Sequence, residues 1–245
     1  MTSTEAMLYQ LKQLKGKPLK QQLEHIVTYF WLPILLTAAI LIATVSYAVH
    51  LVTLKEEALN VICVNAVSNI EADEAFMNEF AQSAGIDLDE YVVYMSTNLS
   101  VSMEAPYTSP EAVQAIIAQL IAGSVDVMAA DIDTLQPYFY QDFFYDLRDV
   151  LTADQQEKYQ AYYLHMDLAV MRELLDAVNE EPVYPDPTKP ELMEEPVPIA
   201  LLLPTDTEFA QLCYPNRENV ALVLPSNAKQ LENGLAFLDY ILREE

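Results

Sequence analysis

Hydrophobic and polar positions divide this chain into two unequal regions. From Ile26 to Leu54, 29 residues pass without an Asp, Glu, Lys or Arg, and the heart of the run reads WLPILLTAAILIATVSYAV. About 20 apolar helical residues span a bilayer core, so residues 26–54 are expected to form a transmembrane helix. Tyr29 and Trp31 stand near one end and Tyr47 near the other, where amphipathic rings favour the headgroup region. Pro33 is expected in the first helical turn, where a missing N–H costs least. The competing reading is a cleaved signal peptide, with Ser46-Tyr47-Ala48 as a small-residue cleavage site. The apolar stretch is longer than the usual signal core of about 7–15 residues, which points to an uncleaved anchor.

Beyond residue 55 short apolar runs alternate with amphipathic ones. Leu59–Val67 is a continuous apolar run of the kind found in strands covered on both faces. Ala72–Ala84 has helical spacing through Phe76, Met77 and Phe80, and Gly85 stands where a C-cap belongs. Glu90–Met95 reads as a second strand. Ser109-Pro110-Glu111 signals a helix start, the helix ending at Gly123, and Val125–Ala130 reads as a third strand. This βαβαβ order implies a parallel sheet with right-handed crossovers. Further on, a helix is expected over Thr152–Val178 with one break near His165. Residues 179–198 hold six prolines and six acids and read as an extended connector or exposed loop. Strands at Pro198–Leu203 and Asn219–Leu224 and a closing amphipathic helix capped by Asn227 complete the pattern.

Charge gives the first run a direction. Residues 1–25 carry Lys12, Lys15, Lys17 and Lys20 against Glu5 and Glu24, whereas everything from residue 26 onward holds 8 basic and 35 acidic residues. By the positive-inside rule the N-terminal 25 residues are cytoplasmic and residues 55–245 form an extracytoplasmic domain. A net charge of −25 repels phosphate backbones and excludes nucleic acid as a bulk electrostatic partner. Four scattered glycines provide no phosphate-cradling loop, so no nucleotide cofactor is expected.

Three segments together resemble the first lobe of the extracellular solute-binding proteins that serve bacterial ABC importers of sugars and peptides. They are LIAGSVDVMAAD (120–131), the aromatic stretch leading into FYDLRDVLT (144–152), and NAKQLENGLAFLDYIL (227–242). The resemblance implies a three-layer αβα lobe with a mainly parallel sheet, and a small solute, sugar or peptide, as ligand. It also implies a second lobe reduced to the residues between about 150 and 198, which weakens any clamp-like capture.

Candidate chemistry is sparse. Asp131 and Asp133 form a D-x-D after an apolar strand, with Asp126 five residues earlier, and α/β sheets gather ligands at the carboxyl ends of strands. The same pair would hold a metal in a glycosyltransferase-like site. In so acidic a chain, two nearby Asp residues are more often turn-formers or helix caps. Tyr138–Tyr145 places six aromatics in eight residues, for stacking on a ligand or for core packing. Cys63 and Cys213 allow one disulfide or a buried free thiol, and neither has a partner at zinc-ligand spacing. His25, His50 and His165 make no readable catalytic set. The acids at 87, 89 and 90 and at 142, 146 and 149 read as solvated faces without calcium-loop spacing.

The sequence reading is therefore a non-enzymatic, membrane-tethered binding or sensing module without a cofactor. Its ligand would meet Ser68, Asn69, Asp131, Asp133 and Tyr138. The alternative is an assembly protein whose lobe docks onto another membrane or surface protein. An extracytoplasmic metal-dependent transferase rests on the D-x-D alone.

Overall fold

The computed structural model describes residues 18–53, 55–101, 110–176 and 183–243. The chain divides between residues 54 and 55 into two compact units. In the first, helix α1 (Leu19–Thr53) is continuous over 35 residues, and its window Trp31–Val49 is long and apolar enough to cross a membrane. A signal sequence passes the same test of length and composition. Pro33 is not in the first turn but about four turns in, because the helix begins at Leu19. Long apolar helices accommodate such a proline when nearby groups reorganise, and Thr37 Oγ1 donates to the Pro33 carbonyl at 2.7 Å. Thr44 Oγ1 likewise donates back to Ile40 O at 2.8 Å, so these hydroxyls present no unsatisfied donor along an apolar stretch.

The second unit is mixed α/β, built on one six-stranded sheet. Its strands are β1 (Glu56–Val64), β2 (Tyr91–Leu99), β3 (Val127–Asp131), β4 (Tyr163–Asp167), β5 (Pro196–Leu202) and β6 (Val220–Val223). Its helices are α2 (Ile70–Ala84), α3 (Pro110–Ala122), α4 (Ile132–Phe139), α5 (Leu147–Val150), α6 (Ala153–Tyr159), α7 (Leu168–Asp176), α8 (Glu208–Cys213) and α9 (Leu231–Ile241). The spatial order is β2-β1-β3-β6-β5-β4. β1 pairs parallel with β2 and β3, as the βαβαβ reading requires. The other three pairs, β3–β6, β6–β5 and β5–β4, are antiparallel, so the sheet has a parallel half and an antiparallel half.

Period-two alternation sorts the strand residues onto two buried faces. Leu59, Val61 and Cys63 of β1 join one core with Phe76, Phe80, Phe209 and Phe237. Ile62 and Val64 join the other, with Ile116, Leu120, Leu135 and Phe139. Edge-to-face contacts hold the first core together: Phe80 and Phe237 lie 5.0 Å apart and Phe209 and Phe237 5.7 Å.

Several elements differ from expectation for local reasons. β1 ends at Val64 because Asn65 takes a left-handed φ of 58°, which breaks the ladder. Residues 152–178 are not one helix. After a capping box at Thr152 and Gln155, α6 gives way to a 3₁₀ turn and then to β4, which carries His165. Asn227 does not cap its own helix. Gln230 occupies that position, and Asn227 Nδ2 instead donates to Leu120 O and Ile121 O at 2.7 and 3.2 Å, closing the end of α3. Gly123 follows there at φ 59°, where an added Cβ would stand 2.8 Å from Asn227 O. The Ser109 cap lies outside the described residues, as do residues 177–182 of the helix end and the Pro-rich stretch.

The described part of the Pro-rich stretch, from residue 183 on, is held down rather than free. Tyr184 stacks on Tyr140 at 4.9 Å, Gln136 Nε2 donates to Pro185 O at 2.7 Å, and His165 N donates to Pro187 O at 2.8 Å. Buried Asp167 finishes the attachment by accepting from the N–H groups of Glu194 and Glu195 at 2.8 and 3.0 Å.

Candidate functional site

The carboxyl ends of β1 and β3 are closed by one polar network. Asp131 is the N-cap of α4, its Oδ1 accepting from Thr134 N and Thr134 Oγ1 at 3.1 and 2.7 Å. Its Oδ2 accepts from Asn65 Nδ2 at 2.9 Å and pairs with Arg217 at 3.4 Å. Asn65 Oδ1 in turn accepts from Val101 N at 2.8 Å, tying the end of β2 into the same knot. Asp133 is exposed in the first turn of α4, and Asn69 is the N-cap of α2. Tyr138 is 2% exposed and its hydroxyl has no partner among the described residues, while burial pushes its pKa up. Asp126 is buried and bridges Asn60 N to Gln230 N, both at 2.9 Å, which fixes α9 against β1. The structure thus joins Asp131 to Asn65, Thr134 and Arg217, while Tyr138 packs into the second core.

The aromatic run is largely core. Tyr138, Phe139, Tyr140 and Phe144 are buried, and Tyr140 also accepts from Asp167 N at 3.4 Å. Cys63 and Cys213 are both buried and unbonded. Burial pushes the Cys63 thiol up, as does its contact with the Cys213 thiol, and Cys213 Sγ lies 3.9 Å from Met95 Sδ. Among the described residues, no group of three or more His, Cys, Asp or Glu side chains is placed to hold a metal ion.

A cleft of about 640 Å³ opens elsewhere, along β2 and the start of α2. Ser68 lines it, and so do Asp73, Met77, Tyr94 and Thr97. Asp73 is the feature that sequence reasoning missed. It is only 5% exposed, with Oδ2 accepting from Thr97 Oγ1 at 2.9 Å and from Asn69 N at 3.4 Å. Its other oxygen, Oδ1, has no hydrogen-bond partner among the described residues. A buried carboxylate oxygen left unpaired carries a desolvation cost of about 1–3 kcal/mol or more, and a donor seated in the cleft would relieve it. The signal was present in the chain, because Asp73 falls three, four and seven residues before Phe76, Met77 and Phe80, inside the apolar stripe of α2. An acid in that stripe must either be paired or serve a ligand.

A shallower hollow of about 400 Å³ lies beside β4, where Tyr163 and His165 face Arg148. Arg148 is already engaged by Asp146 at 2.5 Å. Burial lowers the pKa of His165, and the positive Arg148 nearby lowers it further.

No family model and no curated protein matches the chain. A solved structure, a TRAP periplasmic solute-binding protein from Bradyrhizobium sp. BTAi1 in complex with α/β-D-galacturonate, aligns at 15% identity and a TM-score of 0.19. The alignment covers 49% of this chain and about a third of that one (32%). A superposition this loose carries no argument about function, which rests on the site itself.

Proposed function

We propose that the chain is a non-enzymatic binding module, tethered to the cell membrane by α1 with its N-terminus cytoplasmic and its α/β domain outside. In plan it is a single lobe of the solute-binding type, and its ligand seats in the β2–α2 cleft. The observation that carries this reading is the unpaired Oδ1 of Asp73, nine-tenths buried in the wall of a 640 Å³ cleft. An unsatisfied acceptor in such a place favours a ligand that donates hydrogen bonds, such as a hydroxyl or an ammonium group. Ser68 and Thr97 are positioned to orient it.

The test is thermal unfolding of the full chain in detergent against sugars, amino acids, short peptides and divalent ions. A ligand that binds only the folded state adds about 2.7 kcal/mol at a hundredfold excess over its Kd. A rise in Tm with one class, reduced in Asp73→Asn, supports the reading. No rise with any class overturns it. The network around Asp131 favours a second reading, in which the strand ends are sealed and the domain docks onto another membrane or surface protein.

A further inference from the structure

The cleft beside β2 has a form that narrows its ligand. Its lining includes all seven consecutive residues Val92–Asn98. Consecutive strand residues point to opposite faces, so a hollow touching all of them runs along the strand edge and reaches both faces. The other lining residues agree: Ile62 belongs to the core on one side of the sheet, and Met77 to the core on the other. Among the described residues, β2 is a terminal strand of the sheet, paired with β1 alone. Among the described residues, the backbone of Val92–Asn98 makes no hydrogen bond outside that ladder. From Tyr91 to Leu99 the strand carries no charged residue and no proline, and Tyr94 is 49% exposed. Uncharged open edges of this length are templates for another strand.

We infer that the ligand of this cleft is an extended, basic segment of a partner protein, which adds to the sheet as a strand beside β2. The inference rests on the reading above that the cleft is the binding site. Main-chain hydrogen bonds to the free edge supply the register, and alternate side chains fall on the two faces of the sheet. The Asp73 carboxylate, whose Oδ1 has no partner among the described residues, with Glu74 beside it and no Lys or Arg in the lining, selects a Lys or Arg side chain. The chain's net charge of −25 steers a basic segment toward the site and away from acidic competitors. Seven residues at about 3.3 Å each give an edge of about 23 Å, too long for a monosaccharide or an amino acid to fill.

The experiment uses the full chain in detergent and four blocked decapeptides of alternating Val and Thr. One has a central Arg, one has Glu in its place, and two are the Arg peptide carrying N-methyl groups on alternate amides, one for each of the two phases. Strand addition predicts binding of the Arg peptide, at least tenfold weaker binding of the Glu peptide, and a loss of at least thirtyfold for one phase of N-methylation but not the other. Asp73→Asn should erase the preference for Arg while leaving the N-methyl pattern intact. Equal loss for both methylation phases would overturn the inference. Stabilisation by sugars or free amines without peptide binding would overturn it too, while leaving the binding-module reading standing. If no ligand of any kind binds, both readings fall. Dimerisation of the chain through β2, unaffected by the Arg peptide, would assign the edge to a second copy and overturn the proposal.

Discussion

The two edges of the sheet are finished in opposite ways. β4 is five residues long, and the Pro-rich segment lies along it. That segment supplies Pro187 O to His165 N and the Glu194 and Glu195 N–H groups to Asp167. β2 is nine residues long, and no comparable cover lies along it among the described residues. Short strands, prolines and overlying loops are the usual devices that blunt an edge, and this domain places them all on one side. An uncovered edge is a liability, and among the described residues the proposed strand addition would be what occupies it.

Asp167→Ala should break the comparison hardest. It leaves the N–H groups of Glu194, Glu195 and Ala169 without the acceptor that the buried Asp167 supplies, and a cost of about 3 kcal/mol is expected, measured by urea unfolding. Tyr184→Ala removes the stack on Tyr140 and the packing of Tyr184 against the second core, and should cost about 1–2 kcal/mol, with faster protease cleavage near residue 184 as a second readout.

Acid should loosen the same edge selectively. Burial pushes the Asp167 carboxyl up, but the N–H donors of Glu194, Glu195 and Ala169 outweigh it and hold the group below the ordinary carboxylate value. Hydrogen bonds from Lys189 and Thr188 bring Asp186 down to about 2. Both groups have folded pKa values below their unfolded ones, so their stabilisation is complete above the ordinary carboxylate pKa of about 4 and is lost as the pH falls through the depressed values. Hydrogen exchange between pH 4 and 2 should therefore quicken in β4 and the Pro-rich segment before it does in β3 or β6. The smallest effect belongs to the open edge: Tyr94→Lys should change stability by no more than about 0.5 kcal/mol while abolishing peptide binding. A large loss of stability there would show that the β2 edge is structural after all.

Much of the parallel half was legible because its signals are local. Gly85 and Gly123 both take the positive φ expected of helix-ending glycines, and the apolar runs of β1 and β3 fall within a few residues of their expected bounds. The antiparallel half was harder, since its elements are short and defined by distant partners. Tyr163–Asp167 has no sequence pattern strong enough to be told from the helix before it, and it becomes a strand only because β5 pairs with it. Asn227 has the residue type of an N-cap, and nothing nearby in the chain reveals that it serves a helix more than a hundred residues earlier. At the site, the D-x-D carried a sequence signal for capping as well as for binding, and Asp131 does cap. Asp73 could have been found by asking why an acid sits in an apolar stripe, although the open edge that gives it meaning depends on strand order.

The strand order also sets a schedule for folding. β6 is the last strand in the chain, yet it stands between β3 and β5, and it is the only strand that joins the two halves of the sheet. During synthesis β1, β2 and β3 can assemble early, and β4 and β5 can form their own ladder, but the halves stay separate until residues 220–223 have emerged. Folding of the complete sheet is thus governed by contacts of high sequence separation and is expected to be slow. For that interval the inner sides of β3 and β5 are unpaired as well, and the nascent chain passes through a stage with more open edges than the finished domain.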